Sequence, residues 1–215
     1  MAAQAAAPSR RADAQRNRER LVGAARELFA SVGVDVSVRE VAGRAGVGVG
    51  TLYRHFPTRE ELVDAVLEEA LEEAVAVAEA ALAEDDAWLG LELFLERTLE
   101  LHARNRGLKD VVETQGRGRA EATRRRIRPL VARLVERAQA QGSLRPDVAP
   151  EDLSLVFWAC DRVIEVAGEV APELWRRQLG LLLDGLRAQA GHPLPAPPPT
   201  RAQLHRIRSG GRRER

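Results

Sequence analysis

Between Ser37 and His55 the chain concentrates hydrogen-bond donors. They are the hydroxyls of Ser37 and Thr51, the guanidiniums of Arg39, Arg44 and Arg54, the Tyr53 phenol and the His55 imidazole. Such groups suit phosphate oxygens and base edges rather than bond making. His55, His102, His192 and His205 fall on different expected elements or in the tail. The chain has no HExxH, no phosphate loop and no nucleophile elbow. No catalytic set assembles from these residues, so no enzyme and no cofactor is expected.

The elements that must position these donors are short helices. Val38, Val41, Ala42 and Ala45 follow the 3.6-residue period and put one face inward. Ala42 is small where two helices would cross, and Gly46 suits a left-handed turn residue. Val47 and Leu52 close the core from the second helix. Ser37 with Glu40 forms a capping box that starts the first helix. The window Val38–Pro57 therefore reads as a helix-turn-helix, a shape that lays its second helix into the major groove of DNA.

Composition agrees with a helical protein. Of 215 residues, 45% are apolar and only 4% aromatic, and no alternating β-type run appears. The expected fold is all-α, with an N-terminal three-helix head, a larger C-terminal helical domain and about nine helices in all. The single cysteine, Cys160, excludes an internal disulfide framework or a cysteine zinc cluster, and it reads as an inert buried thiol. No apolar run is long enough for a transmembrane helix, and the opening residues lack the pattern of a signal peptide. A cytoplasmic protein without a membrane partner is the expectation.

The net charge of +1 hides an uneven distribution. Residues 1–60 carry ten arginines against six acids, residues 61–200 carry 17 basic against 25 acidic groups, and residues 201–215 carry six arginines against one glutamate. A basic front on an acidic body fits a DNA-binding head joined to a sensing or assembly domain. The Arg124-Arg-Arg126 and Arg128 run reads as a solvated helix face.

The domain reading is a disordered basic arm over 1–13, the DNA-binding domain over 14–57, a ligand-binding and dimerisation domain over 58–190, and a proline-rich linker with a disordered basic tail over 191–215. A first helix runs from about Ala14 to Val32, with Leu21, Ala25, Leu28, Phe29 and Val32 inward and Gly33 as its stop. Thr58 opens a long helix to about Leu82, lined by Leu62, Val66, Leu71, Val75 and Ala78. Trp88–Ala103 forms the next helix. Leu108–Val112 is a short apolar element before a break at Gly116-Arg-Gly118. Pro129 should kink or split a helix over Arg119–Gln141. Pro150 and Pro172 start the last two helices, about 150–167 and 172–190.

The chain resembles the TetR (tetracycline repressor) family. The resemblance rests on Ala25-Arg-Glu-Leu-Phe29, Gly33, Ser37-Val-Arg-Glu-Val-Ala42, Ala45-Gly-Val47, Gly50-Thr-Leu-Tyr-Arg-His-Phe56 and Thr58-Arg-Glu-Glu-Leu62. A looser likeness covers Gly142-Ser-Leu-Arg-Pro-Asp147, Pro150-Glu-Asp-Leu153 and Leu181-Leu-Leu-Asp-Gly-Leu-Arg187. It implies that Val49–His55 is the recognition helix. Thr51, Tyr53 and His55 would then meet phosphates or base edges, and Gly50 would let the backbone approach DNA. Ser37 and Arg39 would clamp adjacent phosphates, and Arg44 and Arg54 would reach a guanine edge or the backbone. Many members carry Ser at the recognition-helix cap and Lys or Pro after it. Here those positions are Gly48 and Val49, so the lysine's contact is missing and Val49 is placed to meet a thymine methyl instead.

The resemblance also implies a dimeric repressor on a double-stranded, pseudo-palindromic operator, released by a small-molecule effector. The last two helices would pair with those of a second copy. A small apolar effector would lie among Trp88, Phe94, Leu101, Val112, Phe157, Trp158 and Ile164, with His102 facing inward and Asp161 or Arg162 as a polar anchor. Each of those apolar residues also reads as plain core. One other class stays open at this point, a sequence-indifferent basic DNA binder that uses both tails.

Overall fold

The computed structural model describes residues 10–32, 36–105, 117–189 and 192–210. Among these, nine α-helices and one 3-10 turn account for the regular structure, and none of the helices is long and apolar enough to cross a membrane. The described residues divide into two compact units, one drawn from residues 1–73 and 104–122, the other from 74–103 and 123–215.

The first unit is built from α1 (Arg10–Val32), α2 (Val38–Ala45), α3 (Val49–His55) and the opening turns of α4 (Arg59–Ala83). Leu21, Ala25 and Phe29 of α1, Val41, Ala42 and Ala45 of α2, Leu52 of α3, and Leu62, Val63 and Val66 of α4 form one apolar core. Burial of each large member stabilises the unit by about 1.5–3 kcal/mol. Helix α1 begins four residues earlier than the sequence suggests, inside the expected arm. Gly33 lies outside the described residues. Arg26 pairs with Glu73 and donates from Nε to Asn105 Oδ1 at 3.2 Å within this unit.

The second unit holds the end of α4, most of α5 (Ala87–Arg104) and of α6 (Arg117–Ala140), α7 (Leu153–Ala167), α8 (Leu174–Leu186) and α9 (Arg201–Gly210). Trp88, Leu91, Phe94, Leu95 and Leu99 of α5, Leu134 and Val135 of α6, Cys160 and Ile164 of α7, and Trp175, Leu179 and Leu183 of α8 share its core. Asp86 caps α5 by accepting from the Trp88 and Leu89 amides at 2.8 and 3.1 Å. Gly90 is required here, because a Cβ would stand 2.4 Å from the Ala81 carbonyl oxygen.

Helix α6 runs unbroken through Pro129, which is exposed along with Arg125. The helix is not split there, although a proline supplies no amide to the Arg125 carbonyl one turn before it. The expected element Leu108–Val112 lies outside the described residues. Pro150 opens a 3-10 turn, Pro150–Asp152, that runs directly into α7, and α8 stops at Leu186 rather than near residue 190.

Arg145 ties the turn after α6 to the end of α8 and to the segment beyond it. Its side chain is buried, binds both Asp147 carboxylate oxygens at 2.5 and 2.8 Å, and donates to the Gly185 and His192 carbonyls at 3.2 and 2.6 Å. Asp147 also accepts from the Leu194 amide at 2.9 Å. Residues 201–210, read from the sequence as disordered, are instead helical. Thr200 and Gln203 make a reciprocal capping box, with Gln203 Oε1 accepting from the Thr200 amide at 2.7 Å and Thr200 Oγ1 from the Gln203 amide at 3.2 Å.

Candidate nucleic-acid interface

The turn between α2 and α3 is set by Gly46, whose φ of 65° lies in the left-handed region. Its amide donates to the α2 carbonyls and ends that helix. At the other end of α2, Ser37 Oγ accepts from the Glu40 amide at 3.2 Å while Glu40 Oε2 accepts from the Ser37 amide at 2.9 Å and its hydroxyl at 2.7 Å. The Ser37 hydroxyl, with its amide, holds the Glu40 carboxyl below the usual range. These contacts use the only hydrogen of the Ser37 hydroxyl. A phosphate clamp by Ser37 would have to compete with Glu40.

Helix α3 is locked by Leu52 and by Phe56, which follows its last turn, both buried in the head core. Tyr53, Arg54, Gly48 and Gly50 are exposed, while Thr51 and His55 are half-buried. Val49 is half-buried against the head core, so it does not stand free as a methyl probe. Gly48 caps α3 with φ −72° and ψ 147° and no side-chain hydrogen bond. Arg39 is exposed beside the start of α2. Arg44 is exposed too, but its Nε lies 3.1 Å from Glu27 Oε2 of α1.

Sequence reasoning passed over Glu27 and Arg18. The Arg18 guanidinium stands 5.4 Å above the Phe56 ring and buttresses the end of the recognition helix. Its signal was available: Arg18, Leu21 and Ala25 share one α1 face by their spacing of three and seven. Elsewhere on this unit a cleft of about 180 Å³ is lined by Arg18 and by Glu19, Glu68, Glu69 and Glu72. Four carboxylates against one guanidinium disfavour a polyanion at that cleft.

The residues expected around an effector do not form one group. Phe94 and Phe157 meet edge-on with centroids 5.9 Å apart, and the His102 ring lies 5.7 Å from Phe157. His102 is exposed rather than inward, with Nδ1 2.8 Å from Asp161 Oδ1. The half-buried Asp161 carboxylate gives the imidazole a partner at the rim rather than inside the core. Trp88 is buried at the opposite end of α5, where Arg187 stacks 3.8 Å from its ring centroid. Leu101 is core, Trp158 is half-buried, and Val112 lies outside the described residues. One turn from Phe94 and from His102, Thr98 Oγ1 is buried with no hydrogen-bond partner among the described residues. Cys160 is buried, and that burial, with the Asp161 charge, pushes its thiol up to about 11.

A second helix held rigidly behind a tight turn, with polar groups on its free face, defines a helix-turn-helix DNA-binding protein. The family model for bacterial regulatory proteins of the tetR family matches residues 21–66, and that for the SbtR-like transcriptional regulator C-terminal domain matches residues 86–188. A TetR regulatory protein from Mycobacterium vanbaalenii is 32% identical, over 82% of this chain and 98% of its own, with a TM-score of 0.65. A TetR regulator from Streptomyces coelicolor is 28% identical over 79% and 98%, again at 0.65. An HTH-type transcriptional regulator from Staphylococcus aureus is 40% identical over 63 residues, which span 29% of this chain and about a third (34%) of that relative. The chain belongs to the TetR family of transcriptional regulators, with its helix-turn-helix in the first unit.

Proposed function

We propose that the protein is a dimeric repressor that leaves a pseudo-palindromic operator when a small-molecule effector binds. The observation that carries the DNA reading is the division of α3: Leu52 anchors it from one side while Tyr53 stands exposed on the other. In this reading Thr51, Tyr53, Arg54 and His55 meet phosphates and base edges, and the Gly48 and Gly50 backbone passes close to the duplex. Val49 flanks them, Arg39 grips an adjacent phosphate, and Ser37 and Arg44 join once their carboxylate partners yield.

The dimer reading is supported by apolar side chains left outward on α7, on α8 and between them. Leu155, Val166, Val170, Leu174 and Leu181 are all exposed, and a second copy would cover them. Two copies would set their recognition helices in successive major grooves about 34–36 Å apart. The effector reading is supported by Phe94, Phe157 and the unpartnered Thr98 hydroxyl, an apolar cluster beside one polar group. Effector and operator would then weaken each other by the same factor.

Footprinting on the promoter regions beside its own gene, followed by gel-shift titration and size-exclusion chromatography, tests the proposal. A protected inverted repeat and a dimer are expected. Equal affinity for that site and random duplex would overturn the DNA reading, and a monomer at working concentration the dimer reading.

A further inference from the structure

Within the first unit, Arg26 of α1 pairs with Glu73 of α4 and donates from Nε to Asn105 Oδ1 at 3.2 Å. Glu73 turns its other carboxylate oxygen toward Arg104, the last residue of α5, at 3.7 Å. One guanidinium of the head thus grips a later turn of α4 and the residue that follows α5. The Arg26 and Glu73 side chains are only 22% and 34% exposed, so solvent screens this pair less than the Arg44–Glu27 pair.

The apolar head core takes in α4 from Leu62 as far as Leu67 among the described residues. At 1.5 Å per residue that grip covers about 7.5 Å of helix, whereas Leu62 to Glu73 spans about 16 Å. Play of about 1 Å at the outer fixing point tilts the helix by about 8° over the shorter span and by about 4° over the longer. The Arg26 contact therefore stiffens the exit of α4 beyond what the core alone provides. A planar fork suits this role, because it meets acceptors on two elements at once with little freedom left.

We infer that Arg26 is a positioning residue for DNA binding. It acts through Glu73 and Asn105, and it fixes the direction in which α4 leaves the head. In a dimer that direction sets the distance between the two recognition helices, and so the half-site spacing that the pair accepts. The inference rests on the dimeric-operator reading and assigns its spacing selectivity to one side chain.

The test uses the full chain as native protein, as Arg26→Gln and as Arg26→Lys. Each is titrated against the footprinted inverted repeat, the same repeat with one base pair added between its halves, and a single half-site. The added base pair moves the halves apart by about 3.4 Å and rotates them by about 35°. The native protein should prefer the unaltered repeat. Arg26→Gln should bind the half-site as the native protein does, yet lose most of the preference between the two repeats. Arg26→Lys keeps a cation beside Glu73 without the fork and should retain part of that preference. An unchanged preference in Arg26→Gln overturns the inference. An equal loss on all three duplexes, with a lower melting temperature, overturns it too, because that marks a merely structural contact. A native protein indifferent to spacing would instead overturn the dimeric-operator reading, and this inference with it.

Discussion

Leu52 and Tyr53 are adjacent in α3, yet Leu52 is 1% exposed and Tyr53 48%. Successive helical residues point about 100° apart, so anchoring one in the core turns the other toward solvent. Tyr53→Ala should therefore cost the head little stability and lower operator affinity about 10- to 100-fold, the worth of one hydrogen bond to a charged group. Leu52→Ala should do the reverse first, destabilising the head by about 2–5 kcal/mol. Paired thermal melts and gel shifts on the two variants check this. Unchanged operator affinity in Tyr53→Ala would remove that residue from the interface.

Gly48 and Gly90 should answer substitution in opposite ways. A Cβ at Gly48 meets nothing within 4 Å, and its backbone already has the extended geometry of a serine cap. Gly48→Ser should stabilise the head by about a few tenths of a kcal/mol. Gly90→Ala drives a methyl into the Ala81 carbonyl and should destabilise the second unit by about 1–3 kcal/mol. Chemical denaturation followed by circular dichroism measures both.

Arg44 and Glu27 are each more than half exposed, so their pair adds little to stability. Its effect should appear on DNA instead. Glu27→Gln frees the guanidinium and removes a charge that repels phosphate. Affinity for all duplexes should rise, and the salt dependence should steepen by roughly 0.9, the worth of one more neutralised phosphate. Fluorescence anisotropy at several salt concentrations checks it, and an unaltered slope would place Arg44 off the interface.

Acid should loosen the Arg145 node. The Arg145 hydrogen bonds and the Leu194 amide hold the Asp147 carboxyl at about 2, below its ordinary 3.8. A depressed folded-state value contributes stability that is complete above about 4 and is lost as pH falls toward 2. Asp147→Asn should remove that part of the pH dependence. The difference in melting temperature between native and Asp147→Asn protein should shrink from pH 4 to pH 2. A constant difference would rule the coupling out.

Much of the head is legible in the sequence because its signals are local. The Ser37–Glu40 box, Gly46 and the apolar spacing of α2 each act within one or two turns, and the structure repeats them residue by residue. Thr200-Arg-Ala-Gln203 obeys the same capping rule as Ser37–Glu40 but is masked by the proline-rich and arginine-rich composition around it. The expected effector group is less legible. Trp88 and His102 sit at opposite ends of one helix, and bulk alone does not say which side chains share a space.

By itself the chain determined most of the helices and most of their inward faces, because hydrogen-bond closure and 3.6-residue spacing are properties of neighbours. Only the tertiary structure decided which polar groups are already committed. Arg44 is tied to Glu27, His102 is paired with Asp161, and Arg145 is buried against Asp147 and two distant carbonyls. Except for Arg145 with Asp147, these partners are between 17 and 59 positions apart along the chain. An ion pair depends on distance in space, and folding alone brings such groups within a few ångströms.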